Sequence, residues 1–447
     1  MTPLITEVVS IYGLHTVVVL PDTAPRAVLI VRTPYDVHAH MPEALQWARR
    51  GMAVVTQDVR GRYQSSGAFR PYENEGADGL ATLEWVAHQS WCSAPVIMYG
   101  TSYGAHCAVE STIAASDAGM DAVGGVSVAV PALGLGETAR NVDGAFYLES
   151  RVGWWLEHGD RTRSPGGAIP DGALSTLPVA RIGHRVHPPI AYWDHVIRAV
   201  RTDTERADNV SALSCPLLAI GGTYDWFAQD TIDLWTSWGG PAALVMGPWD
   251  HRLYRSARAQ HMTQWIDGVL AGRPGTGGQM YGQRGDLVEL NRWPSATQRV
   301  DLPGGRFVSD PADPFPSIPP GDDLRAVAAR PDLLVLDFAA PATSMIGTPT
   351  VHINSAVEDA DWAALLAIRR RDGRLEQVAH GLSPHRAVRL TPLSVHLDPG
   401  ESMAVIISAH SFPRHARDLQ SGEDQLTGTA MQIAERDITG VRVELPA

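Results

Sequence analysis

The sequence predicts an α/β fold: a mainly parallel sheet interrupted by a helical insertion, followed by a C-terminal all-β sandwich. Three observations carry this prediction. Up to about residue 278, short apolar runs alternate with helix-like segments, the pattern of a sheet covered by helices on both faces. Between about 136 and 207 the alternation lapses into a stretch rich in Trp, His and Arg. Beyond 278, a Pro/Gly-rich connection leads into short alternating stretches separated by turn residues, as in an antiparallel sandwich. The expected division is a core of 1–135 and 208–278, a helical cap of 136–207 and a sandwich of 279–447.

The elements follow in order. The opening segment alternates like a strand. "RAVLIVRTPYD" is a buried strand stopped by Pro34, and "PEALQWARRG" a helix closed by Gly51. "MAVVTQDVRG" is a second strand, and "NEGADGLATLEWVAHQ" a helix with Leu80, Leu83 and Val86 on one face. "APVIMYG", "AVGGVSVAVPALG", "CPLLAIGGTYD" and "AALVMGPWDH" supply four more strands, and "RSARAQHMTQWIDGVLAG" a last helix. In the C-terminal part "DLLVLDF", "TPTVHINS", "WAALLAIRR" and "MAVIISAH" read as sandwich strands.

Composition excludes several functions. A formal charge of −13 offers no basic footprint for nucleic acid. The chain contains no lysine, which removes a Walker-type phosphate loop, Schiff-base chemistry and a Ser-Lys dyad. Cys92, Cys107 and Cys215 are sparse, odd in number and without a C-x-x-C pair, which points to reduced structural thiols and a cytoplasmic location. The N-terminus lacks a basic n-region, and no apolar run reaches the ~18 residues of a membrane span. No cofactor is expected. His38 and His40 form an H-x-H pair without a third ligand, and they read as loop histidines.

"VIMYGTSYGAH" places Ser102 in a G-x-S-x-G motif between a strand and an apolar-rich segment. The motif alone is weak evidence; its context strengthens it. A serine hydroxyl needs a base near neutral pKa, and the base needs a carboxylate to hold its tautomer. Asp225 follows "LLAIGGTY" and His251 follows "ALVMGPWD", so Ser, acid and His occur in the order of the α/β-hydrolase sheet, each after a predicted strand. His106 as base and Asp250 as acid are alternatives, but His106 lies one turn along the helix of Ser102, and Asp250 adjoins His251. The Tyr103 N–H is an expected oxyanion donor. The loop "RTPYD" has no glycine cluster to supply a second, and the Tyr35 hydroxyl could replace it.

These segments resemble the cocaine esterase and X-prolyl dipeptidyl aminopeptidase family of serine hydrolases over nearly the whole chain. "VRTPYD" is similar to that family's R-x-P-Y-D, "WCSAPVIMYGTSYGA" to W-C-x-G-x-V-G-M-x-G-x-S-Y, "CPLLAIGGTYDWF" to P-x-L-x-x-G-G-W-Y-D-x-F, and "VMGPWDH" to G-P-W-x-H. "GMAVVTQDVRGRYQSSG" and "IISAHSFPRHARDLQSG" resemble two further family segments. The resemblance implies Ser102 as nucleophile, Asp225 and His251 as its partners, Tyr35 and Tyr103 as oxyanion donors, and a C-terminal jelly roll. It also implies a pocket where core, cap and sandwich meet, lined by Phe227 and Phe412 and by cap residues Trp154 or Trp155. Thr223, Trp226 and Ala105 depart from the family pattern, so the pocket is expected to differ, with Trp226 in its wall.

The expected activity is cleavage of a small-molecule ester or amide through an acyl-enzyme. Acyl transfer to another nucleophile, cyclisation, or X-Pro dipeptide release would use the same residues. Dipeptide release needs carboxylates for an α-amino group, and the cap offers Glu137, Asp143, Glu149, Glu157 and Asp160. A binding module on a decayed hydrolase fold predicts a broken constellation, whereas every expected member is present. A sandwich offers surface for a homodimer.

Overall fold

The computed structural model describes residues 5–254 and 256–446. Ten strands form the first sheet: β1 (Ile5–Ile11), β2 (Leu14–Leu20), β3 (Val28–Thr33), β4 (Ala53–Asp58), β5 (Val96–Thr101), β6 (Val123–Ala129), β7 (Leu217–Gly222), β8 (Ala242–Gly247), β9 (Gly277–Tyr281) and β10 (Leu287–Leu290). Their spatial order is β1-β2-β4-β3-β5-β6-β7-β8-β9-β10. The block from β4 to β9 is parallel, and antiparallel strands β1, β2 and β10 finish the edges.

The central strands are apolar throughout because both faces are covered. All six residues of β3 and of β4 are buried. One face packs Ile30, Val55 and Met98 against Leu83 of α2 (Glu75–Ala87) and Val109 of α3 (Tyr103–Asp117). The other packs Leu29, Val54 and Ile97 against Trp47 of α1 (Val37–Ala48) and Ile266 of the helix Arg258–Leu270. From β3 the chain steps to β4 on one side, then returns to β5 on the other. The loops after β3 and β5 therefore diverge at the sheet's switch point.

Two expectations require correction. The helix expected at Pro42 begins at Val37, because the Asp36 carboxylate accepts from the His38 N–H at 3.0 Å and caps it. His38 and His40 thus sit in a helix rather than a loop; they hydrogen-bond with Gln64 and Thr33. The boundary expected at 278 falls inside β9, which pairs with β8, so this sheet runs to Leu290. β9 opens on Gly277 and Gly278. In the fold they allow close approach: a Cβ on Gly278 would lie 3.2 Å from Leu290.

The segment after β6 is helical, as expected. It contains α4 (Leu135–Ala139), α5 (Leu148–Glu157) and short helices to Ser211. Phe146, Val152, Trp155, Ile182 and Trp193 form its core, joined by Ala416 and Leu426 from near the C-terminus. The C-terminal part contains two four-stranded antiparallel sheets and a two-stranded ribbon. One sheet orders Ala296–Ser309, Ala434–Pro446, Thr350–Asn354 and Ala387–Arg389; the other orders Leu333–Phe338, Ser402–Ser408, Trp362–Arg369 and Leu375–Ser383. Val351, Ile353, Val441 and Val443 of the first meet Ala364, Leu366, Val405 and Ile407 of the second in one core. Among the described residues, no helix is long and apolar enough to cross a membrane.

Candidate active site

Ser102 lies between the end of β5 and the start of α3, with φ 56° and ψ −121°. That left-handed backbone turns the chain sharply from strand to helix. The flanking glycines make the turn possible. A Cβ on Gly100 would lie 2.1 Å from the Gly104 carbonyl, and one on Gly104 would lie 3.3 Å from the Arg32 carbonyl. As the first residue of α3, Tyr103 has a backbone N–H with no acceptor inside the helix.

Two further strand ends deliver the partners of Ser102. The His251 Nε2 is 3.0 Å from the Ser102 Oγ, and its Nδ1 is 2.7 Å from the Asp225 Oδ1. Asp225 has a fully buried side chain, and its second oxygen accepts from the Phe227 N–H at 3.2 Å. Burial opposes the charged imidazole, but Asp225 outweighs it and raises the His251 pKa above the ordinary histidine value. The line Ser102–His251–Asp225 can carry a proton from hydroxyl to imidazole and stabilise the cation formed.

Tyr35 stands in the loop after β3. Its hydroxyl accepts from the Trp154 Nε1–H at 3.2 Å and also hydrogen-bonds with Ser102. Burial, the largest influence, raises its pKa and keeps it a protonated donor. His158 meets the Tyr35 ring edge-on at 4.8 Å. Burial and the Arg62 charge lower the His158 pKa to about 4, so the ring is neutral at pH 7.

The remaining expected residues separate. Trp154 stacks on the Tyr103 ring at 5.8 Å with an 8° interplanar angle. Phe227 packs edge-on to His251 at 5.6 Å. Trp226 lines a cavity of about 840 Å³ together with Tyr147, Glu149, Asp225, Asp250 and Arg414. Trp155 was expected as a pocket candidate. It is instead 1% exposed in the cap's own core, because it is turned about 100° around α5 from Trp154. Phe412 packs beside the cap core under Arg417, and its neighbours Pro413 and Arg414 line the cavity in its place. The rejected base His106 packs against Tyr72 and Tyr103, with burial first among the causes that lower its pKa to about 4.

Sequence reading missed several supporting groups. Arg62 is fully buried; it donates to the Pro34 carbonyl at 2.7 Å and to the cap carbonyls of Arg161 at 2.6 Å and His158 at 3.3 Å. It thus clamps the Tyr35 loop to the cap. Glu75 accepts from the Tyr103 hydroxyl, which itself accepts from the Tyr72 N–H at 2.8 Å. Arg151 is buried on α5 near Tyr35 and His251. A signal for it was present: Tyr147, Arg151, Trp154 and His158 recur at spacings of four, three and four, which is one helix face.

Comparison with known proteins identifies the family. Residues 12–252 match the family model of the X-Pro dipeptidyl-peptidases (S15 family). The chain is 24% identical to a cocaine esterase of Rhodococcus sp. (strain MB1 Bresler), over 90% of this chain and 89% of that one. An aminopeptidase from a marine sediment archaeon, Thaumarchaeota archaeon, shares the fold with a TM-score of 0.82 at 17% identity, covering 100% of this chain and 98% of that one. An α-amino acid ester hydrolase shares it with a TM-score of 0.79 at 19% identity, covering 99% and 96%. Because the family match spans more than half of the chain, the protein belongs to the X-Pro dipeptidyl-peptidase (S15) family and is a serine hydrolase.

Proposed function

We propose that the protein hydrolyses a small-molecule ester or amide through an acyl-enzyme on Ser102. The observation that carries this reading is the single imidazole of His251 bridging Ser102 at 3.0 Å and Asp225 at 2.7 Å. The Ser102 Oγ attacks the carbonyl carbon while its proton passes to the His251 Nε2. Asp225 accepts from the Nδ1–H throughout and stabilises the cation. The developing oxyanion receives the Tyr103 N–H and the Tyr35 O–H. Collapse of the intermediate expels the alcohol or amine, which takes the proton from Nε2. Water then attacks the acyl carbon, gives its proton to Nε2, and Ser102 leaves with that proton restored. None of these steps requires a cofactor.

The ester or amide reading is favoured over dipeptide release by the state of the cap carboxylates. Glu137 holds Thr202, Asp143 accepts from the Arg389 N–H, and Asp160 accepts from the Ala191 N–H. Of the five cap acids, Glu149 lines the cavity. The two facing C-terminal sheets are read as a jelly roll whose loop around Pro413 and Arg414 closes the site, with the cap as the opposite wall. The deciding test is labelling by a fluorophosphonate. Ser102 is the expected site of label, with loss in Ser102→Ala and His251→Ala; a label elsewhere, or none, overturns the reading.

A further inference from the structure

Helix α5 presents one face to the active site. Tyr147, just before it, meets Trp226 edge-on at 5.3 Å. Trp154 hydrogen-bonds Tyr35 and stacks on Tyr103, and His158 touches the Tyr35 ring. Arg151 occupies the remaining position of that face, between Tyr147 and Trp154. The side chains of Val152, Trp155 and Leu156 point the other way, into the cap core.

Arg151 is 5% exposed, and its Nη1 has no hydrogen-bond partner. The rest of the guanidinium is only lightly held: its Nε donates to the Ser150 Oγ at 3.5 Å and it hydrogen-bonds with the Tyr72 hydroxyl, while Tyr35 and Tyr147 stand nearby and its charge reaches the His251 ring. Among the described residues, no carboxylate stands within ion-pair distance of it. Glu149, the nearest candidate by sequence, acts on Arg414 instead. A buried guanidinium without a counter-ion is costly. Its planar fork matches one group above others, a carboxylate held by two parallel N–H donors.

We infer that Arg151 is a specificity-determining residue that pairs with a carboxylate carried by the substrate. The inference rests on Ser102 being the reacting group. It narrows the substrate class to anionic esters or amides, with the carboxylate in either the acyl half or the leaving group. It also disfavours a free α-amino group beside Ser102, because like charges repel in a poorly solvated site.

Two pairs of esters test it on the intact chain. Mono-p-nitrophenyl glutarate against p-nitrophenyl pentanoate places the charge in the acyl half. 4-Acetoxybenzoate against 4-acetoxybenzamide places it in the leaving group. The expected result is a kcat/KM preference for the carboxylate of about tenfold or more in one pair. That ratio should collapse in Arg151→Met and persist in part in Arg151→Lys. No preference in either pair, or a preference unchanged in Arg151→Met, overturns the inference. If Arg151→Met does not fold, Arg414→Met decides. A preference that survives it supports Arg151, and one that vanishes assigns the role to Arg414 and overturns the proposal.

Calorimetric binding of the same esters to Ser102→Ala separates this inference from the catalytic reading. Tighter binding of the carboxylate ester supports Arg151 even if no ester is turned over. Fluorophosphonate labelling of Ser102 without any charge preference leaves the hydrolase reading intact and removes this one.

Discussion

The Trp154 indole N–H donates to the Tyr35 hydroxyl across 3.2 Å, so the cap holds a group of the core. By accepting from Trp154, Tyr35 keeps its own proton for the Ser102 side. Trp154→Phe retains an aromatic face over Tyr103 and loses that bond. It should lower kcat/KM about tenfold, whereas Tyr35→Phe should cost about 10²–10³. Steady-state kinetics on one p-nitrophenyl ester compares them; equal losses, or none for Tyr35→Phe, would remove Tyr35 from the oxyanion site.

The raised pKa of His251 sets an acid limb. The base must be neutral, so activity falls as pH drops through a midpoint above the ordinary histidine value of about 6.5. Asp225→Asn removes the group that raises it. The midpoint should move down, and kcat should fall by roughly 10⁴ as the imidazole loses its tautomer. A pH–kcat/KM profile of both proteins provides the measurement.

The glycine before Ser102 is sterically committed. Gly100→Ala would drive a Cβ to 2.1 Å from the Gly104 carbonyl. We expect a loss beyond about 3 kcal/mol, larger than ordinary overpacking, seen as insoluble or inactive protein. Gly104→Ala, with 3.3 Å to the Arg32 carbonyl, should fold with a smaller loss in denaturant midpoint.

Arg62 ties three carbonyls together from two parts of the chain. Arg62→Met strands them in a buried setting and should destabilise by about 2–4 kcal/mol. A deficit in kcat at permissive temperature should accompany it, since the Tyr35 loop loses its anchor. Urea unfolding and kinetics on the same preparation measure both.

In the sandwich, burial first and then the nearby Asp418 raise the Asp361 pKa to about 7. The folded state therefore binds a proton that the unfolded state releases near pH 4. That contribution favours folding at low pH and is lost as pH rises from about 4 to about 7. Asp361→Asn should raise the Tm at pH 8 relative to the native chain and flatten its dependence on pH across that window.

Much of the fold was legible because its signals are local. Six parallel strands appear where continuous apolar runs stop at turn residues, for both faces of those strands are covered. β9 gives no such signal: it is short and opens on two glycines that pack closely against Leu290, so it has no continuous apolar run. That Ser102, Asp225 and His251 each follow a strand could be read in the same way; that their side chains meet could not. Trp154 and Trp155 could not be told apart by composition. They are adjacent on α5, and the roughly 100° between successive helical residues sends one toward Tyr35 and the other into the cap core.

By itself the sequence determined an α/β sheet, a helical insertion, an all-β C-terminal part and the residue types for acyl transfer. Periodicity and turn chemistry act over a few residues and survive without knowledge of distant contacts. Only the tertiary structure decided that Trp154 supports Tyr35, that Arg62 joins loop to cap, and that Arg151 is buried near His251 with no carboxylate within ion-pair distance among the described residues. Those relations span segments more than a hundred residues apart in the first case and about a hundred in the other two. They depend on where the cap settles on the strand ends, which no local pattern encodes.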